Sequence, residues 1–153
     1  MLLLLVHIAG QLYCIRAASV LEVVPRVPLQ PVPHAPAALA GLLHYRGEVI
    51  PVLDLRTLLE GGASDAFLST RIVVVETSCL KSSSNRFLDD STTRRLVGLI
   101  AERLTETLEV DASAIAPAPV DVAAAPFLGG LLVQDGRVIR ELLVDRFPVE
   151  ATA

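Results

Sequence analysis

Tryptophan is missing from this 153-residue chain, and aromatic residues make up only 4% of it. Single-strand nucleic-acid binders stack bases on aromatic side chains, so that class of ligand loses its usual footing. A formal net charge of −4 closes the other route, because backbone phosphates are held by an excess of Lys and Arg. Cysteine is scarce as well. Cys14 and Cys79 fit neither a metal nor a redox spacing and read as reduced core thiols of a cytoplasmic protein. No run approaches the roughly 20 apolar residues that a membrane helix needs. The opening MLLLLVHIAG has no leading cation and no close A-x-A site, so it reads as a strand rather than an export signal.

Motifs of catalysis are also lacking. There is no G-x-G-x-x-G, no phosphate-cradling Walker loop and no G-x-S-x-G elbow. His7, His34 and His44 show no metal-ligand spacing. Asp54 is followed by Leu-Arg, not by the Thr/Ser-Gly of an aspartic-protease strand, and reads as a strand-end carboxylate accepting backbone N–H bonds. The Gly129-Gly130 pair reads as a bulge. Glu102, Glu106, Glu109 and Asp111 read as a solvated face. Nothing assembles a nucleophile, a base and an oxyanion site.

What is there is aliphatic. Hydrophobic residues reach 52%, enough for a single domain whose core is Leu, Val, Ile and Ala. Periodicity predicts short strands. Leu2–Ile8 and Gln11–Arg16 form a hairpin about Ala9-Gly10, and 19–24 is a strand or a short helical turn. Prolines 25, 28, 31, 33 and 36 make an extended connector lying along a surface or sheet edge. Gly41–Tyr45 and Glu48–Leu55 are strands joined at Arg46-Gly47, with Pro51 placing the second at an edge or bulge, and a helical turn follows through Leu58-Leu59. RIVVVE at 71–76 is a core strand, and 77–94 a long polar, mobile loop. The stretch from Arg94 to Asp111 reads as strand in preference to helix. A closing hairpin spans 127–145 and turns at Asp135-Gly136, and 141–147 either continues it or forms a terminal helix. The fold class is all-β, a compact barrel architecture, with no internal repeat standing out.

Gly41, Arg46, Gly47, Pro51, Asp54, Leu55 and Arg56, in GLLHYRGEVIPVLDLRTLL, stand in the register of a known signature. The segment resembles that of CheW, the coupling proteins of bacterial chemosensory arrays. IAGQLYCIRAASVLEVV is similar to the family's first hairpin and Val-x-Glu-Val segment, LVGLIAERLTETLEV to its Gly-Leu strand, and FLGGLLVQDGRVIRELLVDRF to its closing hairpin. Glu102, where the family has aspartate, Arg103 and the long 77–94 loop depart from the pattern.

The resemblance implies one domain over 1–153, built of two five-stranded SH3-like barrels around a shared aliphatic core. It implies no catalysis and no cofactor or metal. The implied role is an adaptor between a chemoreceptor's cytoplasmic tip and the regulatory domain of a CheA-type histidine kinase. Such a protein sits in the cytoplasm, peripheral to the inner membrane, without inserting into it. The pathway stays open between flagellar chemotaxis, pilus motility and surface sensing, and the divergent loop suits a non-flagellar one. Carried over by position, Val20, Glu22, Gly41, Arg46, Gly98 and Leu99 fall on the family's partner surfaces. Gly41 and Gly98 would let a partner backbone approach closely. Arg46 would donate to a carboxylate or carbonyl, on a partner or within the domain. The competing reading is a small-molecule-binding or enzymatic β-barrel, which calls for a polar pocket with converging titratable groups.

Overall fold

The computed structural model describes residues 1–62, 68–79 and 93–148. Among these residues, ten strands form two five-stranded sheets. In chain order they are β1 (Leu2–Ile8), β2 (Gln11–Arg16), β3 (Val20–Pro25), β4 (Leu39–Tyr45) and β5 (Glu48–Asp54), then β6 (Arg71–Cys79), β7 (Thr93–Ala101), β8 (Arg103–Glu109), β9 (Leu128–Gln134) and β10 (Arg137–Leu142). One sheet runs β8-β1-β2-β10-β9 and the other β3-β6-β7-β5-β4. The all-β expectation and its paired barrels hold.

Three two-residue turns drive the hairpins. Ala9-Gly10, Arg46-Gly47 and Asp135-Gly136 have positive φ at both central residues, the geometry whose twist matches that of the flanking strands. Asp54 ends β5 and caps the helix α1 (Leu55–Glu60), accepting from the backbone N–H of Arg56 at 3.0 Å and of Thr57 at 3.3 Å. The reading of this acid as a strand-end carboxylate that accepts backbone N–H bonds is thus correct.

The two sheets repeat one plan, although no internal repeat stood out in the sequence. Each has an antiparallel hairpin (β1–β2, β6–β7), a lone strand (β8, β3) and a second hairpin (β9–β10, β4–β5) packed parallel to the first. The chain crosses between sheets after β2 and again after β7, so each barrel takes a hairpin from one half and three strands from the other. The plan leaves a trace in side chains. Gly41, Leu42, Leu43, Gly47, Val49, Ile50 and Leu53 match Gly130, Leu131, Leu132, Gly136, Val138, Ile139 and Leu142 in order. Pro31 and Pro117 each follow a residue that bridges back to its hairpin, Gln30 to Leu42 and Ala116 to Leu131. The proline connector therefore lies along a sheet edge, as expected.

Three apolar clusters follow from this plan. Leu3, Leu5, Cys14, Leu132 and Ile139 fill the first barrel, and Leu43, Ile50, Val52, Ile72 and Ile100 the second. The largest is the seam between them, joining Val6, Ile8 and Ile15 to Leu53, Val73, Val75, Val97 and Leu99. Phe127 and Phe147 stack there with centroids 5.5 Å apart.

Three expectations are corrected. β5, which carries Pro51, is not an edge strand, because it lies between β7 and β4; the proline is tolerated because β7 pairs with Val52, Leu53 and Asp54, and Pro51 itself pairs with β4 alone among the described residues. Residues 141–147 are not a helix. β10 continues to Leu142 because Arg140 and Glu141 pair with β2, and only a single 3-10 turn (Val144–Arg146) follows. The polar loop is shorter than 77–94, since Thr77, Ser78 and Cys79 pair with Arg95, Arg94 and Thr93; its remainder, 80–92, lies outside the described residues.

Cys14 is fully buried. Burial, with the nearby Glu141 charge second, pushes its thiol up to about 12. The reactive thiolate is then scarce near neutrality. In a Cys79→Ser background, a maleimide at about pH 8 should label Cys14 only as fast as the protein unfolds. Rapid labelling of the native state would show this core to be open.

Candidate partner-binding surface

β3 and β4 end the second sheet on opposite sides, and no backbone pairing joins them among the described residues. Side chains do. The Tyr45 hydroxyl on β4 donates to Glu22 Oε2 on β3. Arg46, from the turn after β4, donates to the same oxygen at 2.9 Å and lies 5.3 Å from the Tyr45 ring centre. The hydrogen bond to Glu22 is the main reason that the Tyr45 phenol is held above its ordinary pKa, with burial second. Ring, carboxylate and guanidinium form one clasp across the open side of the barrel. It draws two of the expected residues, Glu22 and Arg46, together.

The clasp is exposed on the cation's side. The Arg46 side chain is 74% accessible and that of Glu22 37%, so the pair itself contributes little to stability. Beside it, β3 turns Leu21 and Val23 outward, 50% and 38% exposed. The matching edge strand of the other barrel, β8, carries Arg103, Thr105, Thr107 and Glu109 at exposed positions. Charge at an edge discourages another chain from docking; an aliphatic edge leaves it open. The two edges thus differ in kind, and β3 is the one suited to contact.

The other expected residues lie inward. Val20 is half-buried and packs on the seam. Gly41 is buried, at φ 154°, where a Cβ would stand 2.7 Å from the Gln30 carbonyl oxygen. Gly98 is buried too, and a Cβ there would meet Val52 Cγ2 at 2.9 Å and Ile72 Cγ2 at 3.0 Å. Leu99 has no exposure at all. The close approaches at both glycines are made within this chain: Gly41 seats the proline connector against β4, and Gly98 lets β7 pass Val52 and Ile72.

Two groupings were missed in the sequence. Tyr45 is an organiser of the clasp, signalled only by its place beside Arg46. Glu102, noted as a departure, links the barrels: it accepts from the Arg56 guanidinium at 2.8 Å and from the Ala9 backbone N–H at 3.2 Å. A carboxylate between α1 and the β1–β2 turn is a structural tie, not part of a solvated face.

Among the described residues, no group of three or more His, Cys, Asp or Glu side chains could hold a metal ion. Among them too, no helix is long and apolar enough to cross a membrane.

Known proteins place this architecture. The chain is 30% identical over 148 residues to the chemotaxis protein CheW of Rhizobium meliloti, covering 94% of this chain and 85% of the relative. It is 30% identical over 113 residues to protein FrzA of Myxococcus xanthus, covering 72% of this chain and 61% of the relative. Among solved structures it is similar to the scaffolding protein TtCheW of Thermoanaerobacter tengcongensis, with a TM-score of 0.75 and 26% identity over 92% of this chain and 82% of that one. Residues 2–148 match the model of the CheW-like domain. With that span and the paired barrels together, the chain belongs to the CheW-like domain family.

Proposed function

We propose that this protein is a non-catalytic adaptor that couples chemoreceptors to a CheA-type histidine kinase in a bacterial chemosensory array. The observation that carries the reading is the β3 edge, where exposed Leu21 and Val23 adjoin the Glu22–Arg46 clasp. Interfaces of this kind combine an aliphatic centre with a few oriented charges, and arginine is prominent among the residues that dominate their energetics. Glu22 and Arg46, with Leu21 and Val23, are the residues that a partner would meet, and Val20 supports them from the seam. Gly41, Gly98 and Leu99 act from inside, holding the strands that present them. The non-flagellar branch is our finer reading, supported by the extra polar residues between β6 and β7, which suit a system-specific partner.

A charge swap tests the role of the clasp. Arg46→Glu places two acids together and should weaken binding to a purified receptor signalling domain or kinase regulatory domain by about tenfold or more. The unfolding midpoint should move by only a few degrees, since the pair is exposed. Glu22→Arg/Arg46→Glu restores the internal attraction with its polarity reversed. If Arg46 faces a partner, binding stays weak in the double variant, as measured by calorimetry. Full recovery of binding would show that the clasp only braces the barrel.

A further inference from the structure

On the first barrel, away from the β3 edge, an open groove of about 260 Å³ lies along β2, β10 and β9. Tyr13, Leu128, Leu131 and Val138 line it, together with Gln11 and Leu12. Arg140 lies among them, paired across β10 with Tyr13 on one side and Leu131 on the other. Its Nε is shielded from solvent and has no acceptor among the described residues. The guanidinium is always charged, and a shielded donor without a partner is costly. The position answering to it in the second barrel is Pro51, beside Leu42 and Val49, so the cation is peculiar to this face. Glu60 is near enough to affect Tyr13, yet no ion pair joins it to Arg140 among the described residues.

A trough in which Leu128, Leu131 and Val138 surround a cation whose Nε lacks an acceptor calls for an occupant with apolar side chains and one anion. We propose that this groove docks an aliphatic segment of a partner protein carrying a single carboxylate, which accepts from Arg140. Leu131 and Val138 would cover the flanking apolar side chains, and the carboxylate would supply the acceptor that Nε lacks. Charge complementarity sets the occupant's chemistry, and the open, strand-lined shape favours a chain segment over a compact ligand. The proposal goes beyond the adaptor reading, because it concerns the other barrel and stands whether or not Arg46 touches a partner.

The test is a selection from a library of short random peptides against the intact protein, with Arg140→Gln as counter-target. The expected winners carry aliphatic residues around one Asp or Glu. They should bind at least about tenfold more weakly to Arg140→Gln, and to the wild type when their acid is made an amide. Amide shifts on binding should centre on Tyr13, Leu131 and Val138. Unchanged shift dispersion in Arg140→Gln separates lost docking from lost folding. Winners without an acid, or equal binding to both proteins, overturn the proposal. So does octanoate reproducing the shifts while no peptide binds, which would make the groove a small-carboxylate site. A dimer in sedimentation that Arg140→Gln dissolves also overturns it, because the occupant would then be a second copy.

Discussion

Leu99→Ala should lower stability by about 2–5 kcal/mol, the range for deleting a fully buried leucine side chain from a packed core. At this chain length that corresponds to a fall of roughly 5–15 °C in Tm. The size follows from position. Leu99 lies on β7, flanked by Val73 on one side and Leu53 on the other, inside the seam that both barrels share. A cavity there loosens both barrels at once, and the aliphatic neighbours on two sheets cannot all relax into it. Partner binding by Leu99→Ala should return to wild-type strength when measured well below its lowered Tm. Binding lost at a normal Tm would instead put Leu99 in direct contact with a partner, through an opening of the seam.

That contrast shows where reading the sequence stopped. Gly41 and Gly98 were legible as places of close approach, because a glycine between aliphatic neighbours in a strand is there for want of a Cβ. Whose atoms approach was not legible. For Gly41 they belong to Gln30, across the proline connector, and for Gly98 to Val52 and Ile72, on neighbouring strands. Such contacts join distant parts of the chain, which periodicity does not address. The strands themselves were readable, since β-branched runs and Arg-Gly or Asp-Gly turns are local signals. Glu22 and Arg46 were placed on a partner surface, yet their meeting depends on barrel closure, which brings the ends of β3 and β4 together. Of the two readings of 141–147, the helix failed for a related reason. Its apolar spacing suits a helix, but the parallel pairing of Arg140 and Glu141 with β2 holds the chain extended. Tertiary pairing overrode local preference.

The duplicated, crossed plan leads to a second large effect. If the chain is divided between Gly62 and Leu68, neither piece should fold alone, whereas the two together should rebuild the native protein. The first piece keeps β1–β5. Its β1–β2 hairpin loses β8 and β10, and β3 loses β6, the only strand with which it pairs among the described residues. What is left is two isolated hairpins and an unpaired strand, and a lone hairpin is marginal in water. The second piece has the same deficit in mirror order: β6–β7 lacks β3 and β5, while β8 and β9–β10 lack the β1–β2 hairpin between them. Neither piece retains a closed core, since each barrel interior and the seam draw side chains from both halves. Each alone should therefore show no cooperative thermal transition by circular dichroism. An equimolar mixture should recover strand signal and a single transition whose midpoint rises with concentration, as mass action requires. The uncut chain should melt in one step with calorimetric and van't Hoff enthalpies in agreement, since neither barrel can open without pulling a hairpin from the other. Two separated transitions in the intact protein, or a piece that melts cooperatively by itself, would mean that the barrels are independent and the crossing between them energetically idle.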